Sequence, residues 1–265
     1  MIGIQTQYQN FIRLFGKKPD LWIFGMIIAL TNLHILTGND RLGYALIFLP
    51  REIAEGQWYR IITHPFVHIS WFHILWDAGA FFLLYSGLAE KRIPIKLLYV
   101  AVCGVFSLLF AFWFSPMINR LGLCGLSGIA HGLMAVSGME MTEHKETRWP
   151  GIISFLLVFF KGVYELITGN ILFEFLLMGM CGTPMAACHF GGVAGGVIVY
   201  TSFRIYDFFQ RRAFVNYGKS FVCFFLSFSK QKTNIGMGYN RFDFFHMKKR
   251  LFHNIIKKSA NLFDK

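Results

Sequence analysis

A few nucleophilic and ionisable residues stand inside otherwise apolar stretches of this chain. They are His68, His73 and Asp77 in HISWFHILWD, Ser127 and His131 in GLSGIAHG, Lys161 and Glu165 four residues apart, and His189 in HFGGVAGG. A serine hydroxyl attacks a carbonyl only when a base within hydrogen-bond reach takes its proton. Fixed donors must also wait where the oxyanion develops. Ser127, served by a histidine from another segment, has the residue types for acyl transfer. Gly125 and Gly128 on either side of it let a substrate backbone or a second helix approach, and a backbone N–H at a helix start lacks an intrahelical acceptor. Packing uses the same residue types, and Gly192 with Gly196 forms a GxxxG pair. Considered alone, the Ser127 segment reads more readily as packing than as catalysis. GLSGI also lacks the glycine two residues after serine that the elbow of soluble hydrolases requires.

The elements that must position these residues follow from composition. Of 265 residues, 55% are hydrophobic, 18% aromatic and only 15% charged, against about 25% charged in soluble domains. Lipid is therefore the expected solvent, and the expected fold class is all-α, a polytopic bundle of six transmembrane helices. A helix needs about 20 apolar residues to cross a bilayer. Six stretches approach this, at 21–37, 68–88, 95–114, 123–141, 150–168 and 184–203. The apolar stretch 171–183 is short and reads as a connection or re-entrant segment. Spans two, four and six run in one direction, and each carries its distinctive polar residue in its first third: His73, Ser127 and His189. At 1.5 Å per residue they share a layer roughly 6 to 8 Å below the boundary. Ionisable groups inside spans are costly and by default mark function, so agreement of depth across three helices shifts the balance from packing to a site.

The net charge of +12 is unevenly spread: residues 204–265 hold 13 of the 26 Lys and Arg against three acidic residues. With the N-terminus inside, inner segments carry 21 basic residues and outer loops four, Arg41, Arg51, Arg60 and Arg120. The positive-inside rule then puts both termini in the cytoplasm. The expected organisation is an N-terminal cytoplasmic segment at 1–20, a membrane core at 21–203 and a basic, aromatic-rich tail at 204–265. In the tail Phe244, Met247, Leu251 and Ile255 recur at helical intervals beside Lys248, Lys249, Arg250 and Lys257. That pattern suits a helix lying on an anionic leaflet better than a nucleic-acid site. The connection at 38–67 is long for a helix joint, and such loops usually have a function. Five cysteines without a CxxC suggest neither a disulfide framework nor zinc. The histidines show no metal-ligand spacing, so no metal or cofactor is expected.

Taken together, these residues resemble the rhomboid family of intramembrane serine proteases. The resemblance covers about residues 56–200 and rests on WYR at 58–60, HISWFHILWD at 68–77, GLSG at 125–128 and HFGGVAGG at 189–196. It implies Ser127 as nucleophile and His189 as general base, a dyad with no buried acid. It implies oxyanion donors from the Ser127 N–H and His73, residue 77 as a further donor, and His68 as support. Gly192 would bring the fourth and sixth helices together. Asp77 stands where the family usually has Asn, and an ionised carboxylate cannot donate. It is either held protonated or orients His73. His131 stands where an aromatic ring often stacks on the catalytic histidine. GLSGIAHG and the compact core resemble the rhombosortase branch, which implies substrates with a C-terminal Gly-Gly, helix and basic anchor. The implied enzyme sits in a bacterial inner membrane and opens to the periplasm. The Lys161 and Glu165 pair is expected to be a structural ion pair. A catalytically silent binder of transmembrane helices is the competing function; a haem- or metal-handling protein is a third.

Overall fold

The structure, a computed structural model, describes residues 18–172 and 185–232, with side chains through Gln210. Most of the expected connection at 171–183, and the amphipathic stretch of the tail at 244–258, lie outside the described residues. The chain divides into two units, Met1–Tyr200 and Thr201–Lys265.

Among the described residues there are six long helices. Helix α1, Pro19–Thr31, has proline in its opening turn, where a missing N–H costs nothing. After Asn32 the chain continues as a short helix, Leu33–Thr37. Helix α2 is Trp71–Gly87, and its cap Ser70 accepts the His73 N–H at 3.1 Å. Helix α3 spans Ile93–Phe114 and α4 Ser127–Met141. Helix α5, Arg148–Thr168, stops at Gly169, whose φ of +70° suits a glycine C-cap. Helix α6 covers Ala187–Lys232.

Among the described residues, three helical segments are long and apolar enough to cross a membrane: Pro19–Thr37, Ile93–Phe114 and Arg148–Thr168. A fourth is formed if α2 and the bent segment Arg60–Phe66 before it count as one. The fold is thus helical and polytopic. Helix α4 has only 15 residues, short of a full crossing. Its expected first turn is not helical: Leu123 pairs with Phe48 in an isolated antiparallel bridge, and Gly125 takes φ +99°. Ser127 is therefore the first helical residue and not four residues deep, while His73 and His189 are each third in their helices. The shared layer survives, but it lies in the first turn.

Helix α4 packs against α2, α3 and α5, with Leu126, Ile129, Leu133 and Val136 buried beside Phe81 and Tyr99. Against α6 the backbones themselves meet. A Cβ on Gly192 would collide with the Gly128 carbonyl, and one on Gly196 would stand 2.5 Å from the Gly132 carbonyl. Outward faces are apolar, as Leu83, Phe160 and Ile167 illustrate. Exposed aliphatic and aromatic side chains are what hydrocarbon solvation permits.

The long connection is ordered by hydrogen bonds. Arg60, 3% exposed, donates to the carbonyls of Tyr44 at 2.6 Å and Ile47 at 2.9 Å and to Gln57 Oε1 at 2.9 Å. The Gly125 N–H then donates to the His64 carbonyl at 3.1 Å, which ties this connection to the turn that presents Ser127.

Candidate active site

Three helix starts meet at Ser127. His189 Nε2 lies 3.2 Å from Ser127 Oγ, and both belong to helices that only glycine allows to touch. The other ring nitrogen of His189, Nδ1, lies 2.7 Å from Glu165 Oε2 on α5. A carboxylate can only accept, so Nδ1 carries the proton and the Nε2 lone pair faces the serine hydroxyl. Glu165 Oε1 in turn accepts from Lys161 Nζ at 2.6 Å and from the Leu172 N–H at 3.0 Å. Lys161 Nζ also donates to His131 Nε2 at 2.8 Å, which leaves His131 Nδ1–H to donate to the Ser127 carbonyl at 2.7 Å. The bonds form a ring that leaves Ser127 at its carbonyl and returns at its hydroxyl. His131 also stacks on His189, with ring centroids 4.1 Å apart and planes 12° from parallel.

On the opposite side of Ser127, two donors converge on one oxygen of Asp77. The Ser127 N–H reaches Asp77 Oδ2 at 3.0 Å, and His73 Nε2 reaches the same atom at 3.1 Å. His73 Nδ1 accepts from the Ile69 N–H at 3.5 Å, which puts the His73 proton on Nε2. Asp77 is thus an acceptor here, 50 residues away from one of its donors and four from the other. Gly125 leaves room for this group, since a Cβ there would stand 2.7 Å from Asp77 Oδ2 and 2.8 Å from His73 Nε2. His68 is fully buried, its Nε2 is 3.7 Å from Asp77 Oδ2, and neither ring nitrogen has a hydrogen-bond partner among the described residues. Its backbone is held instead: the N–H donates to Asn32 Oδ1 at 2.7 Å, and the carbonyl meets His34 Nε2 at 3.0 Å.

All seven residues singled out from the sequence, Ser127, His189, His73, Asp77, Gly125, His68 and His131, gather at this end of the bundle. Sequence reasoning treated Glu165 and Lys161 as a self-contained pair and overlooked Asn32 and His34. The signal for Glu165 was present, because a carboxylate inside an apolar helix is costly enough to demand a reason. The structure also brings donor atoms of His131, Glu165 and His189 within 4.8 Å of one another, a clustering that the spacing in sequence does not suggest. The Lys161 ammonium already binds two of the three, so a metal ion would have to displace it.

The geometry can support proton transfer from the Ser127 hydroxyl to His189, and two N–H donors converge beside Ser127 on Asp77 Oδ2. Comparison with known proteins points the same way. The family model for the rhomboid domain matches residues 55–205. A rhomboid protease GlpG of Yersinia pseudotuberculosis serotype I is 26% identical over 176 residues, covering 63% of this chain and 62% of that protein. A rhomboid protease GlpG of Serratia proteamaculans is 25% identical over 195 residues, covering 72% of this chain and 65% of its own length. The chain therefore spans a little under two thirds of these curated relatives. The matched domain includes every residue of the Ser127 cluster except Asn32 and His34, and by that match the chain belongs to the rhomboid family.

Proposed function

We propose that the protein is an intramembrane serine endopeptidase that cleaves membrane-anchored proteins, with Ser127 as nucleophile and His189 as general base. The observation that carries this reading is the 3.2 Å approach of Ser127 Oγ to His189 Nε2, in an orientation where the ring nitrogen can only accept. As Ser127 Oγ bonds to the scissile carbonyl carbon, its proton moves to Nε2 and the carbonyl π electrons move onto oxygen. When the C–N bond breaks, the same proton goes to the leaving amine; water then repeats the sequence to free the acyl group. The donors now meeting Asp77 Oδ2, the Ser127 N–H and His73 Nε2–H, are the pair suited to the oxyanion. Asp77 must yield that position to substrate.

In this reading six helices lie in the membrane, α4 short of a full crossing, and both termini face the cytoplasm, as the basic residues favour. The catalytic layer opens to the periplasmic side of a bacterial inner membrane, and the basic tail rests on the anionic inner leaflet. The GLSGIAHG form supports substrates of the rhombosortase type, with Gly-Gly before a C-terminal helix and basic anchor. One observation favours a second reading, a catalytically silent binder of transmembrane helices: a carboxylate on the Ser127 N–H opposes the negative charge that catalysis must develop there. Labelling with a fluorophosphonate probe separates the two. The protease reading expects labelling of wild type and none of Ser127→Ala or His189→Ala. An unlabelled wild type that still binds helices supports the silent binder.

A further inference from the structure

The dyad implied by family resemblance needs no acid, yet here a buried carboxylate sits on the base. We infer that Glu165 is a positioning residue for the proposed reaction, holding His189 through its Nδ1–H so that Nε2 faces Ser127, and that Lys161, itself bonded to His131, holds Glu165 in turn. The inference rests on the serine protease reading and extends it from two residues to a linked array.

Three observations carry it. Glu165 is fully buried, and its two oxygens serve different partners, Oε1 on Lys161 at 2.6 Å and Oε2 on His189 at 2.7 Å. An ion pair alone needs only the first. With the carboxylate as acceptor the tautomer of His189 is fixed. A triad acid performs this task, orienting the imidazole and stabilising the imidazolium without taking the proton itself. Finally, the ring is immobilised on its face by His131 at 4.1 Å, so edge and face are both constrained. When Ser127 Oγ forms its bond to carbon and its proton reaches Nε2, the positive charge on the ring lies between Ser127 and Glu165, and no proton need leave Nδ1.

A charge inside a membrane protein also has a structural duty, and the test must separate the two. The full chain in detergent micelles is reacted with a fluorophosphonate probe at several concentrations, giving a saturating inactivation rate and an apparent binding constant. Melting temperature is recorded in parallel. Glu165→Gln is expected to lower the saturating rate roughly a hundredfold, the scale of general acid–base assistance, with the binding constant within about threefold. Because this variant leaves the Lys161 ammonium unpaired, Glu165→Gln with Lys161→Met provides the control. The double variant is expected to recover melting temperature and stay slow. A folded Glu165→Gln protein that reacts within threefold of wild type overturns the inference, as does a double variant that regains the wild-type rate. Those outcomes leave the serine reading standing if Ser127→Ala and His189→Ala are inert. Labelling that persists in Ser127→Ala, or is absent from wild type, overturns both.

Discussion

Two groups of buried charge lie at opposite ends of α2 and α4, and they are wired differently. Near one end of α1, α2 and α3, Tyr85 Oη donates to Asp20 Oδ2 at 2.8 Å, while Lys96 Nζ lies 3.8 Å from that oxygen and 3.7 Å above the Tyr85 ring. Glu140 at the end of α4 accepts the N–H groups of Ala89 and Glu90 at 2.7 and 3.1 Å. Acceptors and donors there are matched, and the bonds tie helix ends together. At the other end, thirteen residues or roughly 20 Å along α4 from Glu140, the bonds run through two histidines, a lysine and a glutamate and finish on a serine hydroxyl. Burial and charge are common to both groups. What distinguishes the second group is that its network ends on a serine hydroxyl, beside which two donors converge on one oxygen.

Variants that act on only one end can break this comparison. The largest effect is expected at the α4–α6 contact. Gly192→Val drives a side chain into the Gly128 carbonyl, so it should separate Ser127 from His189 and reduce probe labelling by about a hundredfold or more, a loss on the scale of acid–base assistance. Labelling near the wild-type rate in a folded Gly192→Val protein would mean that the approach of the helices is not what sets the dyad.

Next in its effect on labelling is Asp77→Asn, which replaces an accepting oxygen on the Ser127 N–H with a group able to donate. A rise in labelling rate of about three- to tenfold is expected, equivalent to about 1 kcal/mol of barrier. A large fall would show that the carboxylate has a role in the reaction itself. Tyr85→Phe acts at the opposite end and should cost about 1.5 to 3 kcal/mol of stability, the worth of a hydrogen bond to a charged group. Its labelling rate should match wild type. A lowered rate at unchanged melting temperature would erase the distinction between the two ends.

The smallest effect concerns Glu90 in the connection between α2 and α3. Burial pushes its carboxyl pKa up, but the Arg92 guanidinium and N–H outweigh that and hold it below the usual range. A carboxyl depressed on folding adds stability above its unfolded pKa and loses it as pH falls through the folded one. Melting temperature should decline slightly more on acidification below about pH 4.5 in wild type than in Glu90→Gln.

The helical, polytopic character of the scaffold was legible in the sequence, because apolar runs are set by the bilayer and need no tertiary knowledge. The shared layer of His73, Ser127 and His189 was legible for the same reason, since helices running in one direction keep position and depth proportional. The start of α4 was not. Residues 123–126 are apolar enough to continue a helix, and only the bridge to Phe48 and the positive φ of Gly125 end it. Glu165 was half legible. Spacing of four residues exposes its bond to Lys161, but a carboxylate has two oxygens, and the second reaches a histidine 24 positions away. Asp77 is similar: its neighbour one turn back is visible in the sequence, and its bond to the Ser127 N–H is not. The misses are contacts between helices, which local spacing does not encode.

The most direct test of the central claim is to locate the covalent adduct after fluorophosphonate treatment of the full chain by peptide mapping. The account predicts a single adduct on Ser127, absent when His189 is replaced by alanine. An adduct on another residue, or one on Ser127 that forms equally fast in His189→Ala, would contradict it.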